Sequence, residues 1–317
     1  MMVWLARRLI SGLVVLLAVA VVAFLLTFVA PADPARSIAG PNASAAAVER
    51  IRASLGLDRP ALEQLTTWLG GLLRGDLGVS YQLGGVRVLD LILARLLPTI
   101  QLAIAGVAVA LAIGVPLGVR AATRPGGALD RVTGILGSLL VAVPGFLLGI
   151  LALYVLAYQW RLFPLATTSY DPFDLRALVL PALTLGLVSV PFYVRVTRLS
   201  MLDELGEPYV RTARAKGVHP RGVTWRHAFR NAILPVVTLA GLDLGFMLGG
   251  VVVIESVFGW PGIGSQAVRA ISQEDLPVLM GTLLFGTLCI VVASLVVDLV
   301  HVLLDPRIAL DEAVEPR

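Results

Sequence analysis

Charge-free apolar runs set the pattern of the chain. They extend from Leu9 to Ala32, Leu96 to Val119, Val132 to Trp160, Ala177 to Val194 and Leu276 to Val297. A sixth, Asn231 to Ile254, is interrupted only by Asp243. A helix needs about 20 mostly apolar residues to cross about 30 Å of hydrocarbon, so each run predicts one crossing. The expected fold is an all-α polytopic membrane protein with six transmembrane helices. Asp243 fits a crossing only if its carboxylate faces protein or water, either toward a water-filled path or toward a neighbouring helix.

Between the first two runs the grammar changes. Asn42 and Ser44 can cap a helix through Val48, Ile51 and Leu55 that ends at Gly56. Pro60 can open a second, with Leu62, Leu65, Trp68, Leu69 and Leu72 at helical spacing before Gly75. This divides the chain into an N-terminus and first span (1–32), an extracytoplasmic domain (33–95) and a core of the remaining spans (96–317) with a cytoplasmic loop at 199–230. The small domain suits a folded spacer or a platform for a partner.

Of the 317 residues, 57% are hydrophobic and 15% are charged, against about a quarter charged in soluble domains. That excludes a disordered chain, a nucleic-acid-binding domain and an ordinary cytosolic enzyme. With the N-terminus inside, 15 of the 25 basic residues fall in inner segments, and most others lie in the long 36–95 loop, which the positive-inside rule governs weakly. Both termini are therefore expected to be cytoplasmic. Trp4, Tyr154, Tyr158 and Trp160 suit interfacial belts. Ala30, Pro31 and Ala32 imitate a signal-peptidase site, but 24 uncharged residues are too many for a signal core and the proline opposes cleavage, so the first helix is expected to remain. Cys289 is the single cysteine, which excludes an intramolecular disulfide and a multi-cysteine metal site.

Glycines four residues apart occur at 114/118, 145/149 and 245/249. Such pairs let helix backbones approach closely, although chance spacing predicts that one pair at most marks a packing face. Pro116, Pro144, Pro181, Pro191 and Pro235 predict kinks in or near spans.

Several chemistries have no residues to carry them. The only lysine, Lys216, precedes Gly217 and belongs to no phosphate-binding P-loop. There is no G-x-S-x-G and no H-E-x-x-H, and the histidines, His219, His227 and His301, are remote from intramembrane serines such as Ser138 and Ser189. No catalytic, cofactor-binding or metal-ligating set emerges. Asp298, His301 and Asp305 share a helix face near the inner end of the last span, as an interface anchor or a proton relay.

The loop at 199–230 carries the strongest local signal. Glu207 precedes Pro208 and Gly217 closes the segment, the usual asymmetry of helix ends. Glu207 sits at the positive end of the dipole, and Arg214 and Lys216 at the negative end. Tyr209, Val210 and Ala213 share one face of a short basic helix that suits anionic lipid or a groove on a partner.

The run Glu207 to Gly217 (E-P-Y-V-R-T-A-R-A-K-G), continuing to Arg230, Asn231, Ala232, Ile233, Leu234 and Pro235, resembles the coupling loop of ABC-importer permeases. More narrowly it resembles the first permease of dipeptide, oligopeptide and nickel importers. Further matches are Arg7 to Leu9, Pro31 to Pro34, Gly75 to Gly78, Leu129 to Arg131, Glu255 to Gly264 and Leu304 to Arg307. The general pattern E-A-A-x-x-x-G is replaced here by Arg211, Thr212 and Ala213, and Ile233, Leu234 and Pro235 are contiguous, as in the peptide and nickel branch. Asp243 stands where that branch usually has glutamine.

The resemblance implies a type I ABC-importer permease with six spans, forming half of a pathway for di- and oligopeptides by alternating access. Nickel or glutathione import, and an ATP-independent ion-coupled transporter, are the alternatives. It also implies a second homologous permease, two ATPase subunits that hold ATP and Mg, an extracytoplasmic solute-binding protein or lipoprotein, surrounding membrane lipid of the bacterial inner membrane, and no nucleic acid. Glu207, Tyr209, Arg211, Thr212, Ala213, Arg214, Lys216 and Gly217 would then couple to the ATPase, and Asp243 would line the pathway.

Overall fold

The computed structural model describes residues 2–29, 33–40, 42–165, 170–249 and 251–304, and the described residues are helical with connecting turns and one isolated β-bridge, Val79 with Arg87. Helix α1 spans Met2–Val29, and α2 (Pro34–Ala39), α3 (Ala45–Ser54) and α4 (Ala61–Leu72) follow at one end of the bundle. The core contains α5 (Val88–Thr123), α6 (Ala128–Ala142), α7 (Gly145–Ala152) and α8 (Leu175–Gly206). At the opposite end lie α9 (Pro208–Ala215), α10 (Pro220–Gly222) and α11 (Phe229–Ala232), followed by α12 (Leu234–Leu248), α13 (Val252–Phe258), α14 (Ile263–Ser272) and α15 (Leu276–Leu304).

Four of these helices are long and apolar enough to cross a membrane, and six crossings result if each of two bent pairs is one span. The Val132 to Trp160 run is one such pair. Its helices meet at 96°. Pro144 supplies no N–H and disfavours helical backbone at the residue before it, so Val143 is extended and α6 ends. A single straight crossing there is thus replaced by a broken one. At α12, Pro235 sits in the first turn and the pair bends by 49°. The Asn231 to Ile254 run also stops early, at Leu248, with Ile254 carried in α13. Conversely, α5 and α8 overrun their apolar stretches, because charge ends the lipid-facing portion of a helix and not its hydrogen bonding. Ala30 to Ala32 and Asp305 lie outside the described residues, as does the side chain of His301.

The α5–α8 pair organises the core, and small residues make it possible. A Cβ on Gly106 would sit 2.7 Å from Leu185, one on Gly114 2.5 Å from Tyr193, and one on Gly118 2.6 Å from Thr197. Ala110 completes the four-residue stripe and is fully buried. From the facing side, a Cβ on Gly186 would lie 2.5 Å from Val109. Gly245 similarly faces Ala293, and Gly286 meets the Gly249 backbone, which joins α12 to α15. Gly149 rests against Val257 and Phe258. More than one of the three spaced pairs therefore marks a packing face. Large apolar side chains point outward instead, among them Ile10, Leu13, Ile135 and Phe246, all more than half exposed. Small residues inside and large ones outside are the arrangement expected where lipid is the solvent.

Ion pairs fasten the α9 end. Arg8 of α1 meets Asp298 of α15 at 3.2 Å, so Asp298 anchors two helices together. Arg198 of α8 grips Asp130 of α6 with both nitrogens, at 2.5 and 2.9 Å. At the other end Phe24 and Trp68 stack, pinning α4 to α1. Ser44 caps α3, accepting from the Ala47 amide at 3.3 Å.

Overpacking a core position costs about 1–3 kcal/mol. Gly114→Val should therefore lower the thermal midpoint of the purified protein by several degrees, whereas Gly134→Val, with no atom within 4 Å of a Cβ, should leave it in place; equal midpoints would remove the seam's role.

Candidate coupling site

Glu207 leaves α8 in an extended conformation and Pro208 starts α9 at once. The helix ends in a Schellman motif: Val218 N–H donates to the Ala213 carbonyl at 3.2 Å and Gly217 N–H to that of Arg214 at 3.0 Å. Gly217 adopts φ +76° there, a region that costs other residues about 1–2 kcal/mol. Among the described residues, chain neighbours aside, no atom lies within 4 Å of a Cβ added at Gly217. The glycine is thus required by its backbone, and the space beside it is open.

The two sides of α9 differ sharply. Val210 is 0% exposed and Ala213 is buried. Val210 belongs to one buried apolar cluster with Val119 and Ala122 of α5, Met201 of α8, and Val223, Ala228 and Ala232. Burying a valine contributes about 1.5–3 kcal/mol, so α9 is held to α8 and the 223–228 segment through the cluster they share with the end of α5. Glu207, Tyr209, Arg211, Thr212, Arg214, Lys216 and Gly217 are exposed. Of the residues the sequence marks for coupling, Ala213 therefore supports the helix from within, and the others form its outer surface. No ion pair among the described residues involves Arg211, Arg214 or Lys216.

Tyr209 fixes the helix to its surroundings. Its hydroxyl donates to Glu204 of α8 and accepts from Asn231 Nδ2 at 3.0 Å. Burial and Glu204 together raise the phenol above its ordinary range, which keeps it a donor. The sequence marks Tyr209 and carries Asn231 in the same motif, but it gives no sign of Glu204 or of their meeting, since the three come together only when α8, α9 and α11 fold together.

Asp243 lies elsewhere, within α12. Gly241 and Gly245 turn toward α15, and two residues along a helix from either is nearly the opposite face. Asp243 is half-buried, and the Tyr193 hydroxyl of α8, within its electrostatic reach, is buried without a hydrogen-bond partner among the described residues.

Two further carboxylates are more deeply placed. Glu255 is 0% exposed. It accepts from Ser265 N–H at 2.7 Å and from the Thr99 hydroxyl at 3.2 Å. Thr99 in turn accepts from Ile263 N–H at 2.9 Å, and Trp260 Nε1 donates to the Pro98 carbonyl at 2.9 Å. These bonds clamp the 259–265 turn to α5. Asp275, also buried, accepts from the Ser80 hydroxyl and from Tyr81 N–H at 3.2 Å. Glu255 falls within the Glu255 to Gly264 motif, whose glycines at 262 and 264 signal close approach. Asp275 carries no local signal, because its partners are nearly 200 positions away. Among the described residues no group of three or more His, Cys, Asp or Glu could hold a metal.

Comparison with known proteins agrees with this architecture. Residues 114–310 match the family described as binding-protein-dependent transport system inner membrane component, and residues 1–103 match its N-terminal counterpart. The chain belongs to that family and is a multi-pass protein of the cytoplasmic membrane. It is 41% identical over 311 residues to a protein of Sinorhizobium fredii (strain NBRC 101917 / NGR234) named probable peptide ABC transporter permease protein y4tP, covering 96% of this chain and 99% of that one. It is 35% identical over 314 residues to oligopeptide transport system permease protein AppB of Bacillus subtilis (strain 168), covering 97% and 99%.

Replacing Gly217 by alanine should speed hydrogen exchange at the 213–218 amides by about tenfold, the strain of about 1–2 kcal/mol at positive φ, with the rest of the protein unaltered. Unchanged exchange would mean that the left-handed turn is not strained. Burial pushes the Glu255 carboxyl above its ordinary range, and the Ser265 and Gly264 amides, Thr99 and Arg95 pull partly against it. A carboxyl with a higher folded than unfolded pKa binds more protons in the native state, so stability falls as pH rises from the ordinary carboxylate pKa through the raised value. The wild type should lose more thermal stability across that interval than Glu255→Gln; parallel pH curves would contradict the assignment.

Proposed function

We propose that this chain is the permease subunit of an ATP-driven, binding-protein-dependent importer of di- and oligopeptides. The observation that carries the proposal is α9: a short helix with a cationic, unpaired outer face and an apolar inner face seated on α5 and α8. Such a helix can accept a push from a partner and pass it directly to the membrane core. The names of the Sinorhizobium and Bacillus relatives supply the substrate class.

In this account the chain crosses the membrane six times with both termini in the cytoplasm, the bent pair of 128–159 serving as one crossing and α12 as another. Residues 33–95 form the extracytoplasmic domain and 199–230 the cytoplasmic coupling loop. Two ATPase subunits bind ATP and Mg, and acidic groups on one of them receive Arg211, Arg214 and Lys216 while Tyr209 and Gly217 seat against its groove. A second, homologous permease completes the pathway, and a solute-binding protein delivers peptide from outside. ATP binding and the loaded binding protein each favour one of two arrangements of the gates, and alternation between them moves the solute. Asp243 and Tyr193 form a polar contact at the edge of the pathway.

Gly217→Arg should insert normally, because the position is exposed and a Cβ there meets no neighbouring atom among the described residues, yet abolish ATP-dependent peptide uptake in cells. Wild-type uptake by that variant, or uptake that persists without ATP, would overturn the proposal.

A further inference from the structure

A cleft of about 910 Å³ opens beside α9, between the end of α5, the start of α6 and the α10 segment. Its walls are of two kinds. Arg120, Arg124 and Arg221 supply three guanidinium groups, and Val119, Leu129 and Trp225 supply apolar surface. The arginines are exposed, and no ion pair among the described residues involves them. Trp225 is 48% exposed and packs on Phe229 with ring centroids 4.9 Å apart.

Depth decides what such a cleft can hold. The apolar run of α5 extends from Leu96 to Val119, which at about 1.5 Å per residue spans about 36 Å, enough to cross the hydrocarbon layer. Arg120 is the first charge beyond it and Arg124 stands one turn further out, so the cationic wall lies at headgroup level. The exposed tryptophan suits the same layer. An acidic protein surface would satisfy the arginines and leave the apolar wall unmatched. A phospholipid matches both, with its phosphate on the guanidiniums and its upper acyl chain along the exposed Leu129 and Trp225.

The geometry points to a binding site for the phosphodiester headgroup of an anionic phospholipid at this cleft. Guanidinium forks fit phosphate oxygens in pairs, and basic pockets between membrane helices are suited to such headgroups. The site rests on the chain's being a membrane protein and not on its solute.

The test is native mass spectrometry of the full-length protein, purified with its co-purifying subunits, delipidated and titrated with phosphatidylglycerol or with phosphatidylcholine of the same acyl chains. The wild type should retain phosphatidylglycerol in preference. Arg120→Gln/Arg124→Gln/Arg221→Gln should weaken retention about 100-fold, at about fivefold per basic residue, and each single variant about fivefold should the triple fail to fold. The triple lysine variant keeps the charge but loses the fork and should retain the lipid better than the triple glutamine variant and less well than the wild type, and Arg74→Gln at the opposite end should behave as wild type. Equal retention by wild type and the triple glutamine variant would overturn the site. So would displacement by millimolar inorganic phosphate, which would make it a site for a free anion, or loss of the ATPases from the triple variant with lipid retention unchanged, which would make it a protein interface. Loss of peptide specificity or of ATP-driven uptake leaves these readouts untouched, so failure of the transport proposal is distinguishable.

Discussion

The backbones of α5 and α8 can lie together only because positions 106, 110, 114 and 118 carry a hydrogen or a methyl group where anything larger would occupy the space of Leu185, Tyr193 and Thr197. In lipid there is no hydrophobic gain from hiding leucine from hydrocarbon, so close approach and dispersion have to hold the helices. The remaining elements are arranged on that pair. The 259–265 turn is bonded to α5 through Pro98 and Thr99, α6 is tied to α8 through Asp130 and Arg198, and α9 rests on the ends of both.

A seam this closely approached transmits displacement more than it absorbs it, since packed interiors have low compressibility. This gives the inner face of α9 its meaning. Val210 shares a buried apolar cluster with residues of α5 and α8, and Tyr209 joins α8 to α11 through Glu204 and Asn231. A partner acting on the outer, cationic face would therefore move the two core helices with no flexible linker between. The same end of the bundle carries the cleft of Arg120, Arg124 and Arg221, so the proposed docking surface and the proposed lipid site would lie on neighbouring faces.

Much of this architecture is legible in sequence where a local rule suffices. Charge-bounded runs locate the membrane-embedded stretches, Ser44 and Pro60 mark helix starts, and the Pro208 to Gly217 pair delimits α9 to within a residue or two. The losses have physical causes. Charge stops burial but not helix, so α5 and α8 run beyond their apolar cores. One proline before a glycine turned the Val132 to Trp160 run into two helices at 96°. Which side of α9 faces inward was undetermined, because Tyr209 with Val210 and Ala213 looks equally apt to dock outward until α5 and α8 are placed beneath it. The clamps at Glu255 and Asp275 depend on partners as far away as Thr99 and Ser80, and no short-range pattern encodes them.

The central claim is that force enters at the outer face of α9 and leaves through its inner face. Coupled assay of ATP hydrolysis and peptide uptake in proteoliposomes holding the complete transporter tests it most directly, using Val210→Gly, which removes the buried contact and leaves the outer surface unchanged. The account predicts that hydrolysis persists while peptide imported per ATP falls several-fold. An unaltered ratio of uptake to hydrolysis, in protein of normal abundance, would contradict it.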